Sequence, residues 1–113
     1  MDDCIFCKIA NKEIPTSLVY EDDLVAAFND LSPQAPVHVL IVPKKHYQSV
    51  LEVPEGDAIV AHMFHVASKL AKELGIAENG FRLVINTGKD GGQSMPHLHL
   101  HMTGGREHGW PAG

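Results

Sequence analysis

The run His97-Leu98-His99-Leu100-His101-Met102 constrains this chain more than any other segment. Side chains of a β-strand alternate between its two faces, so the run predicts a strand over Leu98–Met102. Leu98, Leu100 and Met102 then fill a core face, while His97, His99 and His101 share the opposite one. Histidine is no special strand former, and three in alternation read as chemistry rather than as a plain solvated face. Side chains two positions apart stand about 6.6 Å apart and the outer pair roughly 13 Å, so only His99 has an imidazole on both sides. An electrophile centred on the ladder therefore lies over His99. Neutral imidazole is a competent nucleophile near pH 7 without an activating base.

The segment feeding this strand, Gly91-Gly92-Gln93-Ser94, has the composition of loops whose glycines let backbone N–H groups approach an anion, with Ser94 adding a hydroxyl. Alone it reads as a turn; beside three aligned histidines it suggests a phosphate site. Upstream, Cys4–Ala10 predicts a short helical turn. Val19–Glu21 and Leu24–Phe28 predict a hairpin turning at Asp22-Asp23. Ser32-Pro33-Gln34-Ala35-Pro36 is a loop entering an apolar strand over Val37–Val42, broken only by His38. From Glu55 to Leu74, Ile59, Met63, Val66, Leu70 and Leu74 recur at helical spacing, and Gly75 is placed to cap that helix. Phe81–Asn86 is a further strand. An α+β domain follows, an antiparallel sheet with helices on one face, in a single unit spanning residues 1–113.

The formal net charge of -5 and scattered lysines exclude a broad electrostatic grip on nucleic acid, so any phosphate must be held locally. No stretch has the length and apolarity of a membrane span, and Met1-Asp2-Asp3 lacks the positive start of a signal peptide; a cytoplasmic protein is expected. Eight histidines in 113 residues point to proton transfer or metal binding. Cys4 and Cys7 would close only a tiny loop as a disulfide, which favours metal or redox work. His38 alone would be a satisfied core residue, but its strand is placed to lie beside the ladder, where it could hold a catalytic histidine in one tautomer. His62 and His65 share a helix face without an evident third ligand and read as surface or interface residues.

Taken together, His97-Leu98-His99-Leu100-His101-Met102, Asp30-Leu31-Ser32-Pro33-Gln34-Ala35-Pro36 before His38, Val42-Pro43-Lys44-Lys45-His46 and Gly91-Gly92-Gln93-Ser94 resemble the histidine triad (HIT) family. Within it they are most similar to the histidine triad nucleotide-binding branch, whose members hydrolyse purine nucleoside phosphoramidates. Thr103 departs from the family's pattern, which usually closes with a second apolar residue, and this leaves the end of that strand open. The resemblance implies a five-stranded antiparallel sheet with one long and one short helix. It implies that His99 carries the nucleotidyl group covalently, with His38, His97 and His101 around it and Ser94 near the leaving group. By the same resemblance Asp30 binds the ribose hydroxyls, and Ile5, Phe6, Ile9, Phe28 and Leu31 surround the purine. Asn86, Gly92 and Gln93 lie by the phosphate.

Gly104-Gly105-Arg106 and Trp110-Pro111 resemble the tail of this branch, which in relatives reaches toward a partner subunit's site. The expected assembly is a homodimer whose sheets join into one of ten strands. Relatives with the Cys-x-x-Cys spacing hold zinc, and the matching positions here are Cys4, Cys7, His46 and His97. A ligating His97 could not serve as a free proton donor. The rival functions are hydrolysis of dinucleoside polyphosphates, as in the fragile-histidine branch, and an adaptor role in which turnover is incidental.

Overall fold

The computed structural model describes residues 4–113, so the acidic opening Met1-Asp2-Asp3 lies outside the described residues. In chain order the elements are helix α1 (Ile5–Ala10), strands β1 (Tyr20–Glu21), β2 (Val25–Asn29) and β3 (Val37–Pro43), a 3-10 turn (Val50–Glu52), helix α2 (Ile59–Glu73), and strands β4 (Phe81–Val84) and β5 (Leu100–Gly104). The strands form one sheet in the order β1-β2-β3-β5-β4, with every neighbouring pair antiparallel. This is the expected α+β architecture.

Alternation decides what each face of the sheet does. Val25 and Ala27 of β2, Val39 and Ile41 of β3, and Leu98, Leu100 and Met102 pack with Ile59, Met63, Val66 and Leu70 of α2 in one core. Each of the larger of these side chains contributes roughly 1.5–3 kcal/mol when fully buried. The intervening residues Ala26, Phe28, Leu40 and Val42 point the other way and pack with Phe6 and Ala10 of α1. The two helices thus lie on opposite faces of the sheet, which corrects the expectation of helices on one face. A six-residue helix cannot stabilise itself. It is held by what it covers, the histidine face.

Element ends differ from the periodic pattern where local bonding intervenes. α2 begins at Ile59 rather than Glu55 because the Asp57 N–H returns to the Pro54 carbonyl and the Asp57 carboxylate takes the Ile59 N–H at 2.9 Å. Its end follows expectation: Gly75 has φ +78, and the N–H groups of Gly75 and Ile76 bond the carbonyls of Lys72 and Ala71. β5 starts at Leu100, not Leu98. The Leu98 N–H goes to the Tyr47 carbonyl at 2.7 Å, and the neighbouring strand runs out at Pro43, which has no N–H to offer. At the other end the strand continues through Thr103, which pairs with His38 and Arg82, to Gly104. Among the described residues no helix is long and apolar enough to cross a membrane.

Candidate active site

The ladder forms as its alternation requires. Leu98, Leu100 and Met102 are fully buried in the α2 core, while His97, His99 and His101 face α1. The Phe6 ring packs edge-on against His99 with centroids 5.1 Å apart, and His101 lies 4.8 Å beyond His99. Phe6 also helps line a cavity of about 360 Å³ with Ile5, Ile9, Phe28, Asp30, Leu31 and Ser94. Its volume falls in the range of small-molecule pockets, and its wall is largely apolar, with the Asp30 carboxylate and the hydroxyls of Thr16 and Ser94 among its few polar groups. Thr16, Asn29, Leu40 and Met95 complete it without having been singled out in the sequence, though Leu40 follows His38 by two on the same strand face. A hollow of about 380 Å³ between Gly75 and Arg106 is lined by none of the histidines.

Hydrogen bonds assign the proton positions. His99 Nδ1 lies 2.8 Å from the His97 carbonyl, which can only accept, so Nδ1 carries the hydrogen and the lone pair of the neutral ring sits on Nε2. The His38 Nδ1 accepts the Gln34 N–H at 3.0 Å, which puts the His38 hydrogen on Nε2. That hydrogen is directed at His101 Nδ1, 3.0 Å away, so His101 in turn bears its hydrogen on Nε2. The result is a chain of donors, Gln34 to His38 to His101. Asp30 adds a carboxylate oxygen 3.5 Å from His38 Nε2. Asp30, His38 and His101 bring three ligand atoms within 4.8 Å of one another, but a cation on His38 Nε2 would need the lone pair that the Gln34 N–H has forced onto Nδ1.

Burial, then the neighbouring rings of His99 and His38, push the His101 pKa down to about 4 against the opposing pull of Asp30. His101 is neutral at pH 7. A neutral His101 can donate a hydrogen bond to a phosphoryl oxygen but holds no labile proton for a leaving group. A stability consequence follows. The unfolded chain protonates this histidine near pH 6.5 and the folded one near 4, so the stability that His101 contributes is complete above about pH 6.5 and is lost toward pH 4. Urea titrations between those limits are expected to fall by up to about 1.4 kcal/mol per pH unit from this one group, and His101→Phe is expected to flatten the slope. An unchanged slope would place the titrating group elsewhere.

The glycine loop works differently from its composition. The N–H groups of Gly92 and Gln93 bond the carbonyls of Lys89 and Gly88 inside the loop, so neither is offered to an anion. The Gln93 side chain is equally committed, to the Gly88 N–H and to the carbonyls of Gln48 and Met95. A Cβ on Gly91 would stand 2.3 Å from the Thr87 carbonyl oxygen, so the tight fold of the loop requires glycine there. The loop acts as a rigid mount whose Ser94 reaches the cavity. Asn86 lies just past β4, half-buried, and Trp110 is 87% exposed and does not line the cavity. Arg106 and Arg82 tie the tail down through the carbonyls of Gln34 and Gly109.

Cys4, Cys7, His46 and His97 converge, with all four ligand atoms within 4.8 Å of one another. Cys4 Sγ is 3.2 Å and Cys7 Sγ 3.4 Å from His97 Nδ1, and Cys7 Sγ is 3.1 Å from His46 Nδ1. Tetrahedral zinc with ordinary bond lengths sets sulfur and nitrogen ligands about 3.6 Å apart, so small outward shifts would admit the ion. His97 Nε2–H donates to the Pro43 carbonyl at 2.9 Å, which leaves the Nδ1 lone pair facing the thiols as a metal ligand requires. Burial and the adjoining Cys4 push the Cys7 thiol up to about 11, a penalty that a bound cation removes by deprotonating it.

One pairing had no sequence signal. His62 Nε2 meets Asp22 Oδ2 at 2.7 Å and ties α2 to the hairpin. Although burial works against its charge, the Asp22 carboxyl is held at about 2 by the N–H groups of Leu24 and Val25, by His62 and by the Tyr20 hydroxyl. His62 is thus a structural strut.

Comparison with known proteins fits this geometry. The sequence profile of the HIT domain matches residues 11–108. An uncharacterized HIT-like protein of Synechocystis is 51% identical over 113 residues, covering 99% of this chain and 98% of the relative. The purine nucleoside phosphoramidase of Escherichia coli is 48% identical over 106 residues, covering 93% and 89%. Among solved structures, a histidine triad protein from Clostridium difficile superposes with a TM-score of 0.92 at 55% identity, covering 95% of this chain and 94% of the other. A HIT family hydrolase from Legionella pneumophila gives 0.95 at 47%, covering 98% and 100%. With the ladder, its strand partners and the cavity in place, the conclusion is direct: this chain belongs to the HIT domain family.

Proposed function

We infer that the chain is a hydrolase that cleaves the phosphorus–nitrogen bond of purine nucleoside 5'-phosphoramidates through a nucleotidyl group carried on His99. The observation that carries this reading is the bond from His99 Nδ1–H to the His97 carbonyl, which directs a lone pair onto Nε2 next to the cavity wall of Phe6. The likeness to the Escherichia coli phosphoramidase supports the substrate class. The purine lies among Ile5, Phe6, Ile9, Phe28 and Leu31, and the Asp30 carboxylate accepts from the ribose hydroxyls.

His99 Nε2 attacks phosphorus as the P–N bond breaks, and the departing nitrogen takes a proton from solvent through the Ser94 hydroxyl. Neutral His101 donates through Nε2–H to the phosphoryl oxygen, polarised by the donor chain behind it. Water then attacks the nucleotidyl-histidine, losing its proton to solvent, and the nucleoside monophosphate leaves with His99 restored. Two easier displacements replace one difficult one.

Cys4, Cys7, His46 and His97 hold a structural zinc in this reading, which supplies a tie between α1 and the start of the catalytic segment. Two copies join along the edge strand β4. The test is mass spectrometry of protein quenched during turnover of an adenosine 5'-phosphoramidate. An AMP-sized adduct on the peptide holding His99 is expected. Fast turnover with no adduct, or an adduct on another residue, would end the proposal.

A further inference from the structure

The inference rests on the phosphoramidate reading and names how the same site discriminates its substrates. Two acceptors lie against one hydrogen. The His38 ring is 6% exposed, and its Nε2–H stands 3.0 Å from His101 Nδ1 and 3.5 Å from Asp30 Oδ2. The other Asp30 oxygen accepts the Ser32 N–H at 2.8 Å, which fixes the carboxylate at the cavity it lines. One N–H cannot serve both acceptors at full strength. Donated to His101, it polarises that ring and makes His101 Nε2–H a stronger donor toward the phosphoryl group; drawn toward Asp30, it leaves the donor chain weakened.

We propose that Asp30 couples ribose recognition to the chemical step: ribose hydroxyls that occupy its carboxylate release the His38 Nε2–H to His101. Asp30 is then a specificity-determining and positioning residue, acting on the reaction through His38 and His101 as well as on binding. A nucleotide without ribose hydroxyls still enters the apolar cavity, but it meets a carboxylate that competes for the hydrogen on which His101 depends. The selection is made in rate, not in affinity alone.

The test compares single-turnover formation of nucleotidyl-His99 at saturating adenosine 5'-phosphoramidate and at saturating 2',3'-dideoxyadenosine 5'-phosphoramidate. Wild-type protein is expected to react about tenfold more slowly with the dideoxy compound, the effect of one hydrogen bond of ordinary strength. In Asp30→Asn the Oδ1 partner of Ser32 is kept while the atom facing His38 becomes a donor that cannot take its hydrogen. There the two substrates are expected to react at equal rates, and the dideoxy rate is expected to exceed that of the wild type. Asp30→Ala removes the competitor without an amide and is expected to behave alike.

Equal saturating rates in the wild type, with the hydroxyls altering only the half-saturating concentration, would overturn the coupling. So would an equal slowing of both substrates by Asp30→Asn. A wild type that forms no adduct even with the ribose substrate would overturn the parent reading and the coupling together, which separates the two failures. The wild-type arm has an independent readout that needs no variant to fold: the ¹⁵N shift of His101 Nδ1 is expected to move on binding AMP and to stay near its free value with 2',3'-dideoxy-AMP. Identical shifts with both nucleotides would count against the coupling.

Discussion

His99→Ala is expected to lower kcat/KM on an adenosine phosphoramidate by about ten-thousandfold or more, because the substitution removes the group that bonds phosphorus and no other side chain is presented in its place. The neighbouring rings cannot substitute. The His101 Nδ1 lone pair takes the His38 hydrogen, and the His97 lone pair, left on Nδ1 because Nε2–H donates to the Pro43 carbonyl, faces Cys4 and Cys7. His99 is 4% exposed and packs against Phe6, so the variant also loses contacts and is expected to lose about 1–3 kcal/mol of stability. Steady-state kinetics with urea unfolding on the same sample separates the two effects. Residual activity within tenfold of wild type in a folded variant would remove His99 from the role of nucleophile.

The second large effect is expected at the thiol cluster. α1 is too short to persist alone, and its anchors are Phe6 and Ala10 in the sheet and the Cys4, Cys7, His46 and His97 group at its start. Cys4 Sγ also accepts the Cys7 N–H at 3.3 Å and so caps the helix. Native mass spectrometry is expected to find one zinc per chain, and Cys7→Ser is expected to abolish it and to lower Tm by about 10 °C or more. Ile5, Phe6 and Ile9 form one wall of the cavity, so AMP affinity is expected to fall in the same variant. A metal-free wild type whose Tm equals that of Cys7→Ser would remove zinc from the account and leave two reduced thiols bonded to His46 and His97.

Much of the site could be read before any fold was known, for identifiable reasons. A strict two-residue period leaves the histidines no choice of face once Leu98, Leu100 and Met102 are buried, so the ladder and its central member follow from pattern. The cavity wall of Ile5, Phe6, Ile9, Phe28, Asp30 and Leu31 followed from resemblance, and the structure gathers all six around one hollow. The side of the sheet that α1 takes was misread because packing decides it, and other misread features depend on hydrogen-bond partners. The glycine loop has the composition of an anion cradle, yet the N–H groups of Gly92 and Gln93 are spent on Lys89 and Gly88. His62 carried no hint of Asp22, which is 40 positions away.

What composition and periodicity settled about this chain is therefore a matter of faces: which side chains enter the core, which strand is central, and where a row of imidazoles stands. Direction came only with packing. The tautomers of His97, His99, His38 and His101 are set by the Pro43 and His97 carbonyls and the Gln34 N–H, and α1 is set on the histidine side of the sheet by Phe6 and Ala10. Side-chain alternation is a local property of an extended backbone, whereas the position of a hydrogen on an imidazole depends on whichever donor or acceptor the distant chain brings within about 3 Å.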